Sequence, residues 1–338
     1  MSEDKVETLR PKTLDDFGGQ PDVTRELRIV LDAAKQRGEL CDHVLLSGPP
    51  GLGKTTLAQI IANELKLQYV PVSGPAIEKP GDLASILSGL SANSLLFIDE
   101  IHRLPRVAEE VLYTAMEDGR LDIVVGDGVK AKAISLRLHP FVLVGATTQA
   151  GMLSAPLRDR FGYAPRLRLY GEDALTAIVK RSATILHLNV SDEGARAVAV
   201  RSRGTPRIAN RLVRRVRDWA QINQVSKVDR EDVEAAGEAF GIDDKGLDQV
   251  ARDILQALCE TFQGGPVGVN TLAASVGEAP NTIEEVYEPY LMHLRMLART
   301  PRGRVATMAA YEHLGLRPQP AAIEAAIDQL PMDFETGN

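Results

Sequence analysis

The stretch Gly48-Pro49-Pro50-Gly51-Leu52-Gly53-Lys54-Thr55 decides how the rest of the chain is read. It has the spacing G-x-x-x-x-G-K-T, after the apolar run His43-Val44-Leu45-Leu46 and before the helix-forming run Thr56-Leu57-Ala58-Gln59-Ile60-Ile61-Ala62. Strand, loop and helix in that order predict a phosphate-binding loop. Glycines let backbone N–H groups converge on phosphate oxygens, and the helix start adds its positive dipole end. Lys54 brings a point charge to the β- and γ-phosphates, and the Thr55 hydroxyl is placed for Mg²⁺.

The 338 residues, 44% hydrophobic and 25% charged, suit an ordinary soluble protein of about two or three domains. No apolar run reaches the ~18 residues of a membrane span, and Met1-Ser2-Glu3-Asp4-Lys5 lacks the parts of a signal peptide. Cys41 and Cys259 have neither metal-ligand spacing nor a disulfide framework. A cytoplasmic protein without a membrane partner is expected. The net charge of −7 argues against a whole-surface coat for nucleic acid. Basic residues cluster nonetheless: Arg295, Arg299, Arg302, Arg304 and Arg317 face one acid, Glu312, across residues 291–318, and residues 196–217 hold eight arginines and no acid.

Four further apolar runs read as buried parallel strands: Tyr69-Val70-Pro71-Val72, Leu95-Leu96-Phe97-Ile98, Phe141-Val142-Leu143-Val144 and Leu167-Arg168-Leu169-Tyr170. Helical segments between them, at 82–90 and 106–117, predict an α/β domain over 1–170. Residues 121–125 and 132–138 alternate with period two around Gly126-Asp127-Gly128, a β-hairpin inserted at about 121–138. Such a ribbon either projects towards a partner or lies flat on its own domain. Helical spacing at 172–186, 191–202, 206–221 and 229–240 predicts an all-α second domain over 171–242, with Asp229 as an N-cap. From 243 to 338, helix, turn, helix and a tight turn at Pro301-Arg302-Gly303 give the pattern of a winged helix, followed by a tail that either forms a short helix or is disordered.

Leu95-Leu96-Phe97-Ile98-Asp99-Glu100 is a hydrophobic strand ending in two acids. Asp99 sits where a carboxylate organises Mg²⁺ against Thr55, and Glu100 sits where one polarises a water, which favours hydrolysis.

These motifs, with FIDEIHR, GATT at 145–148, PLRDRFG at 156–162, GTPRIANR at 204–211 and RTPRGR at 299–304, resemble the AAA+ ATPases. Within them the chain is similar to the RuvB family of Holliday junction branch-migration motors over roughly residues 9–318. The resemblance implies a doubly wound ATPase domain, a helical lid and a C-terminal winged helix, in a homohexamer around duplex DNA using ATP and Mg²⁺. It assigns Leu9, Arg10 and Tyr170 to the adenine side and lid, and Gly48, Gly51, Leu52, Gly53, Lys54, Thr55 and Thr56 to the phosphates. Glu117, Asp118 and Gly119 become a further nucleotide-proximal stretch. Thr148 matches a polar sensor and Arg207 a second sensor, while Arg158 and Arg160 match arginines reaching a neighbour's ATP. Arg299 and Arg304 match contacts to the DNA backbone, with Arg302 between them.

The residues alone leave alternatives open: an Arg–Asp surface pair at Arg158-Asp159-Arg160, a solvated Arg207, a strand-ending Tyr170 and a solvated basic wing. His102 is left without a role. Pro280 stands where relatives often have an arginine, and Arg295-Met296 replaces a small-then-aromatic pair. The hairpin resembles the docking element for RuvA, with Leu121, Ile123, Val125, Ile134, Leu136 and Leu138 as anchors, and RuvC is a further expected partner. Competing classes are an AAA+ clamp loader or protein remodeller, which has no need of a basic winged helix, and a non-enzymatic DNA-binding regulator, which has no need of Glu100 and the paired arginines.

Overall fold

The computed structural model describes residues 9–125 and 132–318, with the backbone alone at 123–125 and 132–134. The expected hairpin turn at 126–128 and the tail beyond 318 lie outside the described residues. The chain forms two compact units whose segments interleave: Met1–Ile185 with Thr205–Asn210, and Leu186–Gly204 with Arg211–Asn338.

The first unit contains β1 (Val44–Ser47), β2 (Gln68–Ser73), β3 (Ser94–Asp99), β4 (Arg120–Val125), β5 (Lys132–Arg137) and β6 (Phe141–Thr147). Four of them make a parallel sheet in the order β1-β6-β3-β2. The middle strands read as unbroken apolar runs because both of their faces are covered, and every residue of β6 is buried. Register then sets the site. Ser47 pairs with Thr147 and Ile98 with Gly145, so β1, β3 and β6 finish together. The residues that close or follow them (Gly48, Asp99, Glu100, Thr148) emerge at one carboxyl edge, where open α/β sheets bind ligands.

The fifth strand expected at 167–170 is not formed. Isolated bridges place Tyr163 and Arg166 beside β1 instead, with the Leu45 N–H donating to Tyr163 O (2.9 Å) and the Leu167 N–H to Ser47 O (2.8 Å). Pro165 lies between them with no N–H to give, so the edge runs alongside β1 without closing a regular ladder.

Antiparallel β4 and β5 pair from Arg120↔Arg137 to Val125↔Lys132, as the alternation predicts. The list of expected anchors needs correction. Leu121 and Leu138, at the hairpin base, are 1% and 9% exposed and belong to the unit's own core beside Leu112 and Phe141, so they are spent on holding the ribbon to its domain. Leu136 is exposed. The side chains of Ile123, Val125 and Ile134 lie outside the described residues.

In the second unit, helices Asp192–Val200 and Arg230–Ala239 pack together, the latter begun by Asp229 in a capping box with Asp232. Helix Gln249–Gln256, a π-turn at Ala257–Thr261 and helix Val269–Val276 follow, the last closed by left-handed Gly277. Residues 280–293 stay helical through a π-turn at Ile283–Tyr287. Then β7 (Leu297–Thr300) and β8 (Gly303–Ala306) form the two-stranded wing, and Val267 bridges Arg304 to add a third backbone segment. A helix at Met308–Leu314, not expected from the sequence, closes the domain.

One half-buried histidine helps to hold the sheet. His43 Nδ1 accepts the Leu143 N–H at 2.9 Å, and the ring lies 5.5 Å from Phe141. Burial holds its pKa below the ordinary 6.5, against the opposing pull of a Met116 backbone bond and the Asp42 charge. The folded state therefore prefers neutral imidazole, so the unfolded chain takes up the proton first as the pH falls. This contribution is complete above pH 6.5 and is lost below it. Thermal melts from about pH 7 to about pH 5.5 should show the midpoint falling, and His43→Gln should flatten that fall. Identical pH slopes in both proteins would exclude His43 as the cause.

Candidate functional site

Helix Lys54–Glu64 starts from Gly53 in the left-handed region, with no side-chain cap. Its first N–H groups are therefore open to an anion. The loop is tightly boxed. A side chain at Gly48 (φ +139) would place its Cβ 2.5 Å from Leu167 O, and one at Gly53 (φ +97) would place it 3.0 Å from the Phe17 ring. The Lys54 ammonium donates to Gly48 O (2.7 Å) and Pro49 O (3.0 Å), which draws it inside the loop.

Several expected residues meet around this loop. The Tyr170 hydroxyl donates to Leu52 O at 3.0 Å, and burial pushes its pKa up, so it stays a protonated donor. The Arg207 N–H reaches Gly51 O at 3.3 Å, which seats its backbone on the loop while its side chain stays exposed. Leu9 is buried, and its carbonyl accepts from Arg181 at 3.0 Å. Gln20 braces Tyr170's segment, donating to Arg168 O (2.7 Å) and accepting the Arg168 N–H (3.2 Å).

At the sheet edge, Asp99 Oδ1 accepts the Glu100 N–H at 3.0 Å. Glu100 has φ +52, a left-handed conformation costly for a residue with a side chain and typical of sites that must aim one. Its carboxylate lies 3.4 Å from the Thr148 hydroxyl and 3.5 Å from His102 Nε2. His102 is itself fixed by Thr147, 2.9 Å from Nδ1. The sequence gives His102 no partner because Thr147 lies 45 positions away and meets it only through the register of β3 and β6.

Arg160 and Glu117 come together in a cluster of their own. Arg160 donates to Glu117 (2.6 Å) and Pro156 O (2.8 Å), and its guanidinium lies 4.8 Å from the Tyr113 ring centre. Buried Glu109 accepts from Ser154 (2.6 Å) and Tyr113 (3.2 Å), which stiffens the seat. Arg158, the last residue of the short helix Ala155–Arg158 just before Arg160, is exposed. Asp118 pairs with Arg120 at 3.2 Å, and Gly119 takes φ +62 at the hairpin's start.

In the second unit, Arg299 and Arg304 face each other across β7 and β8, and Arg302 is exposed at the turn. Arg299 Nε donates to Glu288 Oε2; Arg304 donates to Glu288 Oε1 (2.7 Å) and Glu284 Oε1 (2.6 Å). Burial opposes the charged form of Arg304, yet the bonds and charges of Glu288 and Glu284 hold its pKa above the ordinary arginine value.

Matched against family models, residues 9–167 fit the Holliday junction DNA helicase RuvB P-loop domain, 170–243 the RuvB AAA lid domain and 244–315 the RuvB C-terminal winged helix domain. The Holliday junction branch migration complex subunit RuvB of Limosilactobacillus reuteri is 54% identical over 315 residues, 93% of each chain. Its counterpart from Saccharopolyspora erythraea is 56% identical over 316 residues, 94% of this chain and 90% of the relative. The Thermotoga maritima RuvB Holliday junction branch migration motor superposes with a TM-score of 0.84 at 49% identity, covering 92% of this chain and 99% of that one.

Glu100→Gln should leave ATP binding intact while lowering hydrolysis by ~10²–10⁴-fold, the usual worth of a positioned base. His102→Ala, which removes one support of that carboxylate, should cost roughly tenfold in turnover without weakening nucleotide binding. Single-turnover hydrolysis beside nucleotide titration separates the two effects; full turnover in Glu100→Gln would take Glu100 out of the reaction.

Proposed function

Because the chain belongs to the RuvB family, we propose that it is the ATP-driven motor of a Holliday junction branch-migration complex, acting on duplex DNA in recombination and repair. The observation that carries this reading is the common exit of β1, β3 and β6, which sets the phosphate loop, Asp99, Glu100 and Thr148 on one edge of a chain that also holds a basic wing. The proposed organisation is an ATPase domain over 1–170, a lid over 171–242 and a winged-helix domain over 243–338.

The donors suit a magnesium nucleotide. An uncapped helix start and the Lys54 ammonium are built for phosphate, and the Thr55 hydroxyl and Asp99 carboxylate are the hard oxygen ligands that Mg²⁺ prefers. Bound there, the ion would neutralise charge building on the β- and γ-oxygens. Lys54 exchanges its loop carbonyls for phosphate oxygens. Glu100, aimed by Thr148 and His102, orients a water and accepts its proton. Leu9 and Arg10 hold the adenine side, Tyr170 contacts the nucleotide from the lid side, and Arg207 senses the γ-phosphate from the lid.

Completion of the site falls to the next subunit of a homohexamer. Arg160, with Arg158 beside it, leaves Glu117 for the neighbour's γ-phosphate, exchanging a carboxylate for a more highly charged anion. An arginine supplied in this way is worth ~10³–10⁵ in rate. The hairpin docks RuvA through its exposed part, with RuvC joining the same cytoplasmic assembly. Arg299, Arg302 and Arg304 grip phosphates, contacts that carry no sequence information and so suit a motor that must travel any sequence.

Lys54→Ala should abolish ATP-driven migration of a synthetic four-way junction; normal migration would sink the mechanism. Mixing Arg160→Ala with Lys54→Ala subunits should restore part of the hydrolysis at mixed interfaces, because each variant supplies what the other lacks. Strict absence of complementation would mean that Arg160 acts within its own subunit.

A further inference from the structure

Arg299 and Arg304 are direct cross-strand partners, so the wing sets two guanidinium groups opposite each other on one face. Like charges in that position repel and splay a two-stranded ribbon. The countercharge comes from beneath. Glu288 is fully buried, and each of its carboxylate oxygens takes the Nε of one arginine. A buried carboxylate is tolerated only when it is paired in this way. The bonds to Glu288 use the Nε edges and Arg304 gives one more N–H to Glu284, so further N–H groups on each guanidinium remain for another acceptor. Arg299 keeps 46% of its side chain exposed and Arg304 13%, so Arg299 is the more outward of the pair.

The helical stretch that supplies Glu288 also carries Glu284 and Glu285. It is acidic where a groove-reading helix would be basic, and the arginines it holds belong to the wing.

We propose that Glu288 is the positioning residue of the DNA-gripping edge: its buried carboxylate locks Arg299 and Arg304 side by side so that their remaining donors form one phosphate-binding face. The proposal rests on the reading that the wing grips DNA. It has a consequence opposite to simple electrostatics. Removal of an acid near DNA ordinarily tightens binding, whereas loss of Glu288 loosens it, because two unrestrained guanidinium groups repel each other out of register.

The test is duplex affinity across a salt series, with the full chain. Glu288→Gln should weaken binding by roughly tenfold despite removing a negative charge, and should flatten the salt dependence by about one phosphate's worth. Glu284→Gln, which leaves Glu288 and both of its bonds in place, should bind as tightly as the wild type or more tightly. Equal or tighter binding by Glu288→Gln overturns the proposal. A double-mutant cycle guards against a misfolded wing. Added to Arg299→Ala/Arg304→Ala, Glu288→Gln should cost no further affinity, because its effect runs through those two arginines; a further loss would mean general disruption and refute positioning. If Arg299→Ala/Arg304→Ala itself binds like wild type, the reading of the wing fails. If it weakens binding while Glu288→Gln does not, only the role of Glu288 fails.

Discussion

An α-helix that begins without a side-chain cap leaves its first N–H groups unanswered, and the first unit is arranged around that demand. Gly53 starts helix Lys54–Glu64 in the left-handed region, a conformation that spares the loop any bulk where phosphate must approach. Leu167 and Phe17 close in until only glycine fits at Gly48 and Gly53, and Tyr170 and Arg207 fasten to the carbonyls of Leu52 and Gly51. Segments distant in sequence thus converge on a few backbone atoms.

The register of the parallel sheet is the second constraint. A slip of one residue between β3 and β6 would turn each buried side chain to the opposite face and part Glu100 from Thr148. Apolar cover on both faces of those strands makes such a slip prohibitive, so the same burial that stabilises the unit keeps the Glu100 carboxylate aimed. The left-handed backbone at Glu100 is held by that surrounding order.

Much of this was legible in the residues. The loop, the acid pair after β3, the alternating hairpin and the wing each carry a local signature, and the structure has each element where its pattern predicts. What stayed illegible depends on distant pairings. The run at 167–170 is as apolar as a strand, but Pro165 upstream denies it a regular ladder. Leu121 and Leu138 alternate like projecting anchors, yet Leu112 and Phe141 absorb them. His102 and Glu288 have ordinary neighbours in sequence; Thr147 in one case and the two wing arginines in the other give them their work.

The interleaving of the two units has a consequence for synthesis on the ribosome. The chain passes from one unit to the other after Ile185, after Gly204 and after Asn210. Residues 205–210, which include Arg207 on the loop, leave the ribosome only after a segment of the second unit has been made. The phosphate site therefore cannot be completed as its own strands emerge; it waits for a late hexapeptide, while the early helix Asp192–Val200 waits for its partner Arg230–Ala239. No single cut isolates either unit, and a fragment ending at residue 185 would carry the loop without the segment that seats upon it.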